Sequence, residues 1–301
     1  LMELSRKRGE AMAKAANERL LFATAGLSAA FRDRMQLEHR LQLAFENQEF
    51  RLHYQPKVRL SDGRITGCEA LLRWAPADPR PISPEIFVPL LEQSGLIVEV
   101  GLWAIRQALE DLGSWRSDGL HTRVAVNVSS VQLKQSDFVA SVQRVLRDSG
   151  PNPGIDVEVT ESMLMTDVDT TIVKLTQLRD SRMRISIDDF GTGYSSLSYL
   201  ARLPVDALKI DRSFVIKMNT NPATLAIVKG VVSLAHALGL KVIAEGVDSA
   251  DQSATLRAMG CDQIQGWLFS KAVDAEQFAS LLREDRRLPV GQPLSLAQGP
   301  L

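Results

Sequence analysis

Hydrophobic positions in this chain fall into short runs, rich in Val, Ile and Leu, that alternate with longer stretches of helical periodicity. Eight short runs have the length and composition of buried strands: residues 50–58, 64–74, 122–128, 154–159, 183–187, 207–210, 241–244 and 263–266. Helical patterns occupy most of the gaps: residues 86–95, 102–116, 132–147, 168–180, 195–201, 224–238, 252–259 and 275–284. This alternation predicts an α/β fold built on a parallel sheet.

The number of strands favours a closed barrel. Eight strands with helical crossovers predict an α/β fold of the (β/α)8 TIM-like type, with an N-terminal helical extension. A barrel of this kind uses about 250 residues, which fits a chain of 301 residues with an extension at each end. A doubly wound open sheet is the alternative, because strand count alone does not demonstrate closure.

The two ends of the chain differ from its middle. Residues 1–36 form an Ala-rich, Pro-free segment that we interpret as a helical linker from an upstream region, so we expect the chain to be a piece of a longer protein. The main domain is predicted over residues 37–287, and residues 288–301, rich in Pro, Gly and Gln, are predicted to be a flexible tail. Next to the linker, an apolar stripe packs over one end of the barrel or forms a dimer contact: Leu37, Leu41, Ala44 and Phe45.

Composition and charge limit the classes of partner. A formal net charge of −1 argues against binding to a nucleic-acid polymer, although a small anion remains compatible with it. No run approaches the roughly 18 apolar residues of a spanning helix, so we expect no direct membrane insertion by this fragment. Cys68 and Cys261 form no C-x-x-C pair, which suits the cytoplasm and argues against a thiolate zinc site. The chain is thus predicted to be cytoplasmic, alone or as the cytoplasmic part of a membrane-anchored sensor.

Polar side chains mark the ends of almost every predicted strand. In chain order they are Gln55, Glu69, Arg73, Asn127, Glu158, Asp188, Asp189, Lys209, Asp211, Glu245 and Gln265. The ends of parallel strands converge on the face of a barrel where barrel enzymes carry their active sites. For any single residue a helix cap or a surface ion pair is the simpler explanation. Recurrence at seven or eight strand ends favours a shared site.

Five carboxylates in this set point to bound cations: Glu69, Glu158, Asp188, Asp189 and Glu245. Brought together without cations, they would raise one another's pKa and could not all stay ionised. Oxygen ligands favour Mg²⁺ or Mn²⁺ over zinc. Adjacent Asp188 and Asp189 can face one site only if the strand bends or ends there. Two such cations about 4 Å apart suit phosphodiester hydrolysis, and Lys209 would orient the water or stabilise the developing charge.

Several ordered motifs accompany these residues. They are Tyr54-Gln55-Pro56, Glu69-Ala70-Leu71-Leu72-Arg73-Trp74, Asn127-Val128-Ser129, Glu158-Val159-Thr160-Glu161-Ser162, Asp188-Asp189-Phe190-Gly191-Thr192-Gly193, Lys209-Ile210-Asp211, Ala244-Glu245-Gly246-Val247 and Gln265-Gly266. As an ordered set over residues 37–287, they resemble the EAL-domain family of c-di-GMP phosphodiesterases. A lone Glu-Ala-Leu triplet would carry no such weight.

The resemblance implies a role for each site residue. One metal would be held by Glu69, Asn127, Glu158 and Asp188. The second would be held by Asp188 and Asp189, with Glu245 acting on it directly or through water. Catalytic roles fall to Glu69, Lys209 and Glu245, with Lys209 contacting the nucleophilic water. Substrate contacts are implied for Gln55, Arg73, Asp211 and Gln265. Glu161 would anchor the loop at residues 190–196, which supports the second metal and the dimer contact.

The same resemblance implies an activity and its cofactors. We expect hydrolysis of c-di-GMP to linear pGpG by a homodimer with two Mg²⁺ or Mn²⁺ ions, and inhibition by Ca²⁺. Asp248, Trp267 and Ala272 depart from the family pattern, and none of them is a predicted metal ligand. The alternatives are a catalytically silent c-di-GMP receptor and a regulated output or dimerisation module of a membrane-anchored sensor.

Overall fold

The computed structural model describes residues 35, 37–76, 82–148, 154–164, 167–192 and 197–290. The chain divides into two compact units, the first formed by residues up to Phe50 with Trp74–Ser94, and the second by Arg51–Arg73 with the residues from Gly95 onward. The predicted linker, apart from residue 35 at its end, lies outside the described residues, and so does most of the predicted tail.

The first unit contains two helices and a cluster of aromatic rings. Helix α1 covers residues 37–46, and α2 is Pro84–Ser94. Phe87 on α2 lies 5.9 Å from Phe50 and 6.0 Å from Trp74, measured between ring centroids. Leu41 and Ala44 of the predicted apolar stripe are buried. Burial of these apolar side chains supplies most of the free energy that holds the helices in place.

The second unit is a barrel of eight strands, closed in chain order. The strands are β1 Phe50–Arg59, β2 Ile65–Trp74, β3 Val124–Asn127, β4 Ile155–Thr160, β5 Ile185–Phe190, β6 Ala207–Ile210, β7 Lys241–Ala244 and β8 Gln263–Ile264. The predicted α/β barrel is confirmed, and closure excludes the open doubly wound sheet.

The expectation of an all-parallel barrel was wrong for the first strand. Strand β1 pairs antiparallel with β8, with Val58 opposite Ile264, whereas each pair from β2–β3 to β7–β8 is parallel. A tight turn joins β1 to β2, and the Arg59 N–H donates to the Arg64 carbonyl at 2.9 Å. Gln55 therefore lies in the middle of β1 rather than at its end.

Ten described helices accompany the barrel in this unit. They are α3 Ile97–Ser117, α4 Ser130–Lys134, α5 Phe138–Asp148, α6 Glu161–Leu164, α7 Val168–Asp180, α8 Leu197–Leu200, α9 Arg212–Lys217, α10 Pro222–Ala237, α11 Ala250–Ala258 and α12 Ala275–Arg283. The single helix predicted at 132–147 is two helices, because Gln135 adopts an extended conformation that ends α4. Among the described residues no single helix is long and apolar enough to cross a membrane, although α2 and α3 taken together pass that test by length and composition alone.

The strands alternate between apolar and polar positions, and this alternation places the site. Leu208 and Ile210 of β6 belong to the hydrophobic core, whereas Lys209 between them bonds carboxylates on other strands. Successive side chains of a strand point to opposite faces of the sheet. Apolar side chains thus pack under the helices, and the barrel interior holds the charged ones.

Leu288, the first residue of the predicted tail, is buried, and its N–H donates to the Gly63 carbonyl at 2.9 Å. A Cβ at Gly63 would lie 2.1 Å from the Leu288 carbonyl oxygen, so this contact requires glycine in the β1–β2 turn. Residues 291–301 lie outside the described part of the chain.

Candidate active site

A buried lysine stands at the centre of the barrel interior. Lys209 is fully buried, and its ammonium lies among carboxylates from four other segments of the chain. The distances from Nζ are 2.5 Å to Glu158, 2.5 Å to Glu245, 3.0 Å to Asp188 and 3.3 Å to Glu69. An ammonium carries three N–H donors, so four carboxylates share them. The arrangement holds the acidic side chains together at one level of the barrel.

The parallel strands explain why these side chains meet. Glu69 pairs in register with Ala125, two residues before Asn127, and Asn127 pairs with Glu158. Asp188 follows on β5, and Glu245 comes directly after β7. Because neighbouring strands are hydrogen-bonded in this register, residues distant in sequence occupy adjacent positions around the barrel.

Strand β5 bends where its two aspartates lie. The register between β5 and β6 shifts between Ile187 and Phe190, and Asp189 has φ of 54°. That region is uncommon for residues other than glycine, although Asp and Asn tolerate it best. The Asp189 N–H donates to the Asp188 carboxylate at 2.9 Å. The bend predicted from the adjacent aspartates is therefore present, and it lets both reach the same cluster.

Electrostatics distinguish Glu69 from the other carboxylates. Burial alone would raise its pKa, but Lys209, Lys57 and hydrogen bonds from Gln265 and Asn127 outweigh burial and lower the pKa to about 2. The Asn127 amide donates to one Glu69 oxygen at 2.6 Å, and the Gln265 amide donates to the other at 2.7 Å. Glu69 is thus held as an anion in a fixed orientation.

The pKa values of the other four carboxylates are raised instead. Burial is the largest cause of the raised pKa of Glu245, about 8, with Asp188 and Glu69 adding to it. Burial likewise raises the pKa of Glu158, Asp188 and Asp189. The same carboxylates hold the pKa of Lys209 well above its usual range, although burial opposes this. Lys209 and Lys57 are too few to neutralise five carboxylates, so additional cations would be stabilised there.

Two groups of carboxylates have the spacing of metal ligands. Within each group the candidate ligand oxygens all lie within 4.8 Å of one another. The first is Glu69, Glu158 and Asp188, and the second is Asp188, Asp189 and Glu245. Asp188 belongs to both, as expected of a carboxylate between two neighbouring cations. An all-oxygen donor set suits hard divalent ions, so these residues fit Mg²⁺ or Mn²⁺.

Two glutamines border the cluster. The Gln265 amide N–H groups donate to Gln55 at 2.9 Å and to Glu69, and the Gln55 amide donates to the Ser270 carbonyl at 3.3 Å. The amide oxygen of Gln265 is buried and has no hydrogen-bond partner in the described part of the chain. A buried unpaired acceptor is costly, which makes it a suitable contact for a donor on a ligand.

The other predicted residues surround the cluster at greater distance. Burial lowers the pKa of Arg73 while Glu69 raises it, so this half-buried guanidinium is near the cluster. Asp211 caps α9 by accepting the Ser213 N–H at 3.0 Å, and it contributes to the raised pKa of Asp189. Glu161 is buried and accepts the Gly191 N–H at 2.9 Å, which ties it to the loop after β5. Residues 193–196 of that loop are outside the described residues.

The sequence of this chain is similar to those of known proteins. Residues 38–272 match the family model described as the EAL domain. The chain belongs to the EAL domain family. This family membership, first inferred from the ordered motifs, is therefore confirmed.

Individual relatives are similar to this EAL domain over most of its length. The bifunctional diguanylate cyclase/cyclic di-GMP phosphodiesterase MucR of Pseudomonas aeruginosa is 42% identical over 85% of this chain. The cyclic di-GMP phosphodiesterase PdeR of Escherichia coli is 40% identical over 80% of this chain. The chain spans 38% and 37% of the length of these two relatives. The solved structure of the PaMucR phosphodiesterase in complex with c-di-GMP is 43% identical, with a TM-score of 0.77 over 81% of this chain and 99% of that one.

One residue of the EAL domain's charge cluster was missed by sequence reasoning. Lys57 is 6% exposed and forms an ion pair with Glu158, opposite the pair that Glu158 makes with Lys209. The sequence could have predicted this. Lys57 comes two residues after Gln55 on the same strand, so both side chains point to the same face of the sheet. Because Gln55 was taken as the end of its strand, residues beyond it were not considered as part of the site.

Proposed function

We propose that this chain hydrolyses c-di-GMP to linear pGpG with two divalent cations, Mg²⁺ or Mn²⁺. The observation that carries the proposal is the pair of carboxylate groups that share Asp188 beside the Lys209 ammonium. The names of MucR and PdeR, and the c-di-GMP complex of PaMucR, support this substrate. In the reaction water adds to one phosphodiester and opens the ring.

The residues of the carboxylate cluster would hold the two cations. Glu69, Asn127, Glu158 and Asp188 would hold one cation, and Asp188, Asp189 and Glu245 the other. When bound, such cations neutralise the phosphodiester and activate water. Hydrogen bonds from Asn127 and Gln265 keep Glu69 ionised and oriented for its role as a ligand.

Four residues would act on the water and the substrate rather than on the cations. Lys209 fixes the spacing of the carboxylates and places an ammonium where charge develops on the phosphate. Arg73 has no carboxylate within ion-pair distance among the described residues, and a guanidinium of this kind suits a phosphate oxygen. Gln55 and Gln265 offer amide groups that match the hydrogen-bonding edge of guanine.

The deciding experiment is turnover by the purified chain. With Mg²⁺ or Mn²⁺, c-di-GMP should be converted to pGpG, as followed by chromatography. Tight binding of c-di-GMP without turnover in either metal would refute the hydrolase and support the receptor alternative. The complete carboxylate set favours the hydrolase, because a receptor has no need to gather five carboxylates in one buried cluster.

Calcium provides a test of the two-cation proposal. Ca²⁺ prefers longer bonds and a looser coordination of six to eight oxygens, so it should occupy the cluster without supporting hydrolysis. Adding Ca²⁺ to the Mg²⁺ enzyme should lower the rate in proportion to its occupancy. Full activity with Ca²⁺ as the only divalent ion would contradict a site that requires two small cations.

The homodimer and the cytoplasmic location stay predictions from the sequence. Light scattering of the chain with and without residues 1–36 would test whether the N-terminal segment contributes to assembly. A dimer mass that falls to the monomer mass on removal would support this, whereas an unchanged mass would place the contact elsewhere.

A further inference from the structure

A polar cavity lies at the opposite end of the barrel interior from the carboxylates. It encloses about 590 Å³ and is lined by the first residues of several parallel strands. Its lining residues Asp156, Ser186 and Ala207 each precede a residue of the cluster by two positions, namely Glu158, Asp188 and Lys209. Two residues along a strand correspond to one layer of side chains on the same face. This space, called the lower cavity, is therefore one layer beneath the candidate active site.

Small side chains create the space. The layer around the barrel axis contains Gly67, Ala125, Ser186 and Ala207, all of which line the cavity. A Cβ at Gly67 would lie 2.9 Å from the carbonyl oxygen of Arg123, the residue before β3, so a larger residue at Gly67 would displace the backbone there. Barrels of this type usually fill such a layer with bulky branched residues.

Positive charge exceeds negative charge in the lining. The cationic residues are Lys57, Arg59, Arg123, Arg184 and Lys241, whereas the carboxylates are only Asp156 and Asp206. Both carboxylates already have partners within the fold. Asp156 accepts from the Arg123 guanidinium and from the Arg184 N–H at 3.0 Å, and Asp206 accepts the Ile185 N–H at 2.9 Å. They organise the strand ends. Of the other cations, Lys57 pairs with Glu158 and Arg59 with Asp62, so Arg184 and Lys241 are the two that lack an ion pair among the described residues.

Two cations at the mouth of the cavity are available to a ligand. Arg184 and Lys241 have exposed side chains, and neither forms an ion pair within the described residues. A guanidinium presents a planar fork of donors that matches a phosphate group, and an ammonium adds a compact charge. The pair therefore suits an anion that carries more than one charge.

We propose that the lower cavity binds a small anion with a pyrophosphate or other multiply charged phosphate group. Its volume is within the range of about 300–1,000 Å³ that ligand pockets occupy. The proposal does not depend on the hydrolytic activity, because it concerns the end of the barrel away from the carboxylates. At the inner end of the cavity Lys57 makes the ion pair with Glu158, so a bound anion would be one side chain from the candidate metal site.

Calorimetry with inorganic pyrophosphate tests the proposal directly. The full chain is titrated in chelator-treated, metal-free buffer, where the carboxylate cluster repels anions and offers them no metal. We expect saturable binding of one pyrophosphate per chain. The double variant Arg184→Ala with Lys241→Ala should raise the Kd at least about tenfold, as expected when charge-assisted hydrogen bonds are lost.

Two further variants distinguish the cavity from general charge effects. Lys229→Ala removes one exposed cation from α10, outside the lining, and should leave the Kd unchanged. Ala207→Leu keeps the charge but fills part of the cavity, so it should weaken binding while the thermal midpoint confirms folding. Absence of pyrophosphate binding, or equal affinity in the wild type and the double variant, would overturn the proposal. Equal weakening by Lys229→Ala would overturn it as well.

Discussion

The two ends of the barrel interior are built from the same strands but carry opposite charge. At the carboxyl ends, the cluster has five carboxylates, four of them in contact with Lys209, and burial raises the pKa of most of them. At the opposite end, the lining of the lower cavity has five cationic side chains and two carboxylates, and two of those cations, Lys57 and Arg59, pair with carboxylates outside the lining. Carboxylates at the upper end lack sufficient cations, whereas those at the lower end are satisfied by backbone N–H groups and arginine. The upper end therefore suits bound cations, and the lower end suits a bound anion.

The largest effect is expected at the upper end, from loss of Glu69. Glu69→Ala removes a candidate metal ligand and should lower kcat/KM for c-di-GMP by about 10³-fold or more. The rate of pGpG release measures this loss. Glu276→Gln is the matched control, since Glu276 is a carboxylate with 80% side-chain exposure outside the barrel interior. An unchanged rate in Glu69→Ala would remove that residue from the site.

The next effect concerns Lys57, which lies between the two ends. Lys57→Met keeps the length of the side chain but leaves Glu158, fully buried, with one cationic partner fewer. Breaking a buried ion pair costs about 3–5 kcal/mol, so the free energy of unfolding should fall by about 3 kcal/mol in metal-free buffer. Denaturant titration measures it, with Lys229→Met as the exposed control. Equal stability of the two variants would show that Lys57 does not support Glu158.

A smaller effect is expected from a carboxylate of the lower end. Asp156→Asn weakens the bond to Arg123 and to the Arg184 N–H, both of them partly exposed, and should cost about 1–2 kcal/mol of stability. Because Asp156 has no part in the carboxylate cluster, kcat should stay at the wild-type value. A large loss of turnover in a folded variant would mean that the two ends are coupled more strongly than their contacts indicate.

The smallest effect is expected from the thiols. Burial is the main cause that raises the pKa of Cys261 to about 12, and burial also raises that of Cys68, which lines the lower cavity. Both thiols should therefore remain protonated at pH 8, since the thiolate forms only near and above the raised pKa. A disulfide reagent should label neither cysteine in the folded protein and both after denaturation. Rapid labelling of the folded protein would show that the lower end opens in solution.

Strands and long helices were predictable because their periodicity is strong. Strands β6 and β7 and helix α7 match their predicted limits to the residue. Helices α6 and α9 were missed because four and six residues are too few to show a 3.6-residue period. The antiparallel β1 was also missed, although Asp62-Gly63 between two apolar runs is a strong hairpin pattern and Gly63 has φ of 71°.

The sequence predicted which carboxylates form the site, but it did not predict which cations neutralise them. Repeated polar strand ends identified the carboxylates, and the structure brings them together around Lys209. The contribution of Lys57 and the lower cavity depended on the directions of strands and on which side chains are small. These features arise from packing around a closed barrel, and no short motif encodes them.

The bend at Asp189 offers a way to separate shape from charge in this protein. Asn tolerates the left-handed backbone as well as Asp does, whereas a β-branched residue does not. Asp189→Asn should therefore preserve the path of β5 and remove one negative charge, and Asp189→Val should disturb the path itself. For protein engineering, substitutions at this position can therefore change the metal-ligand chemistry and the placement of the loop separately. An inactive but correctly folded form for trapping a bound dinucleotide is best sought at this residue.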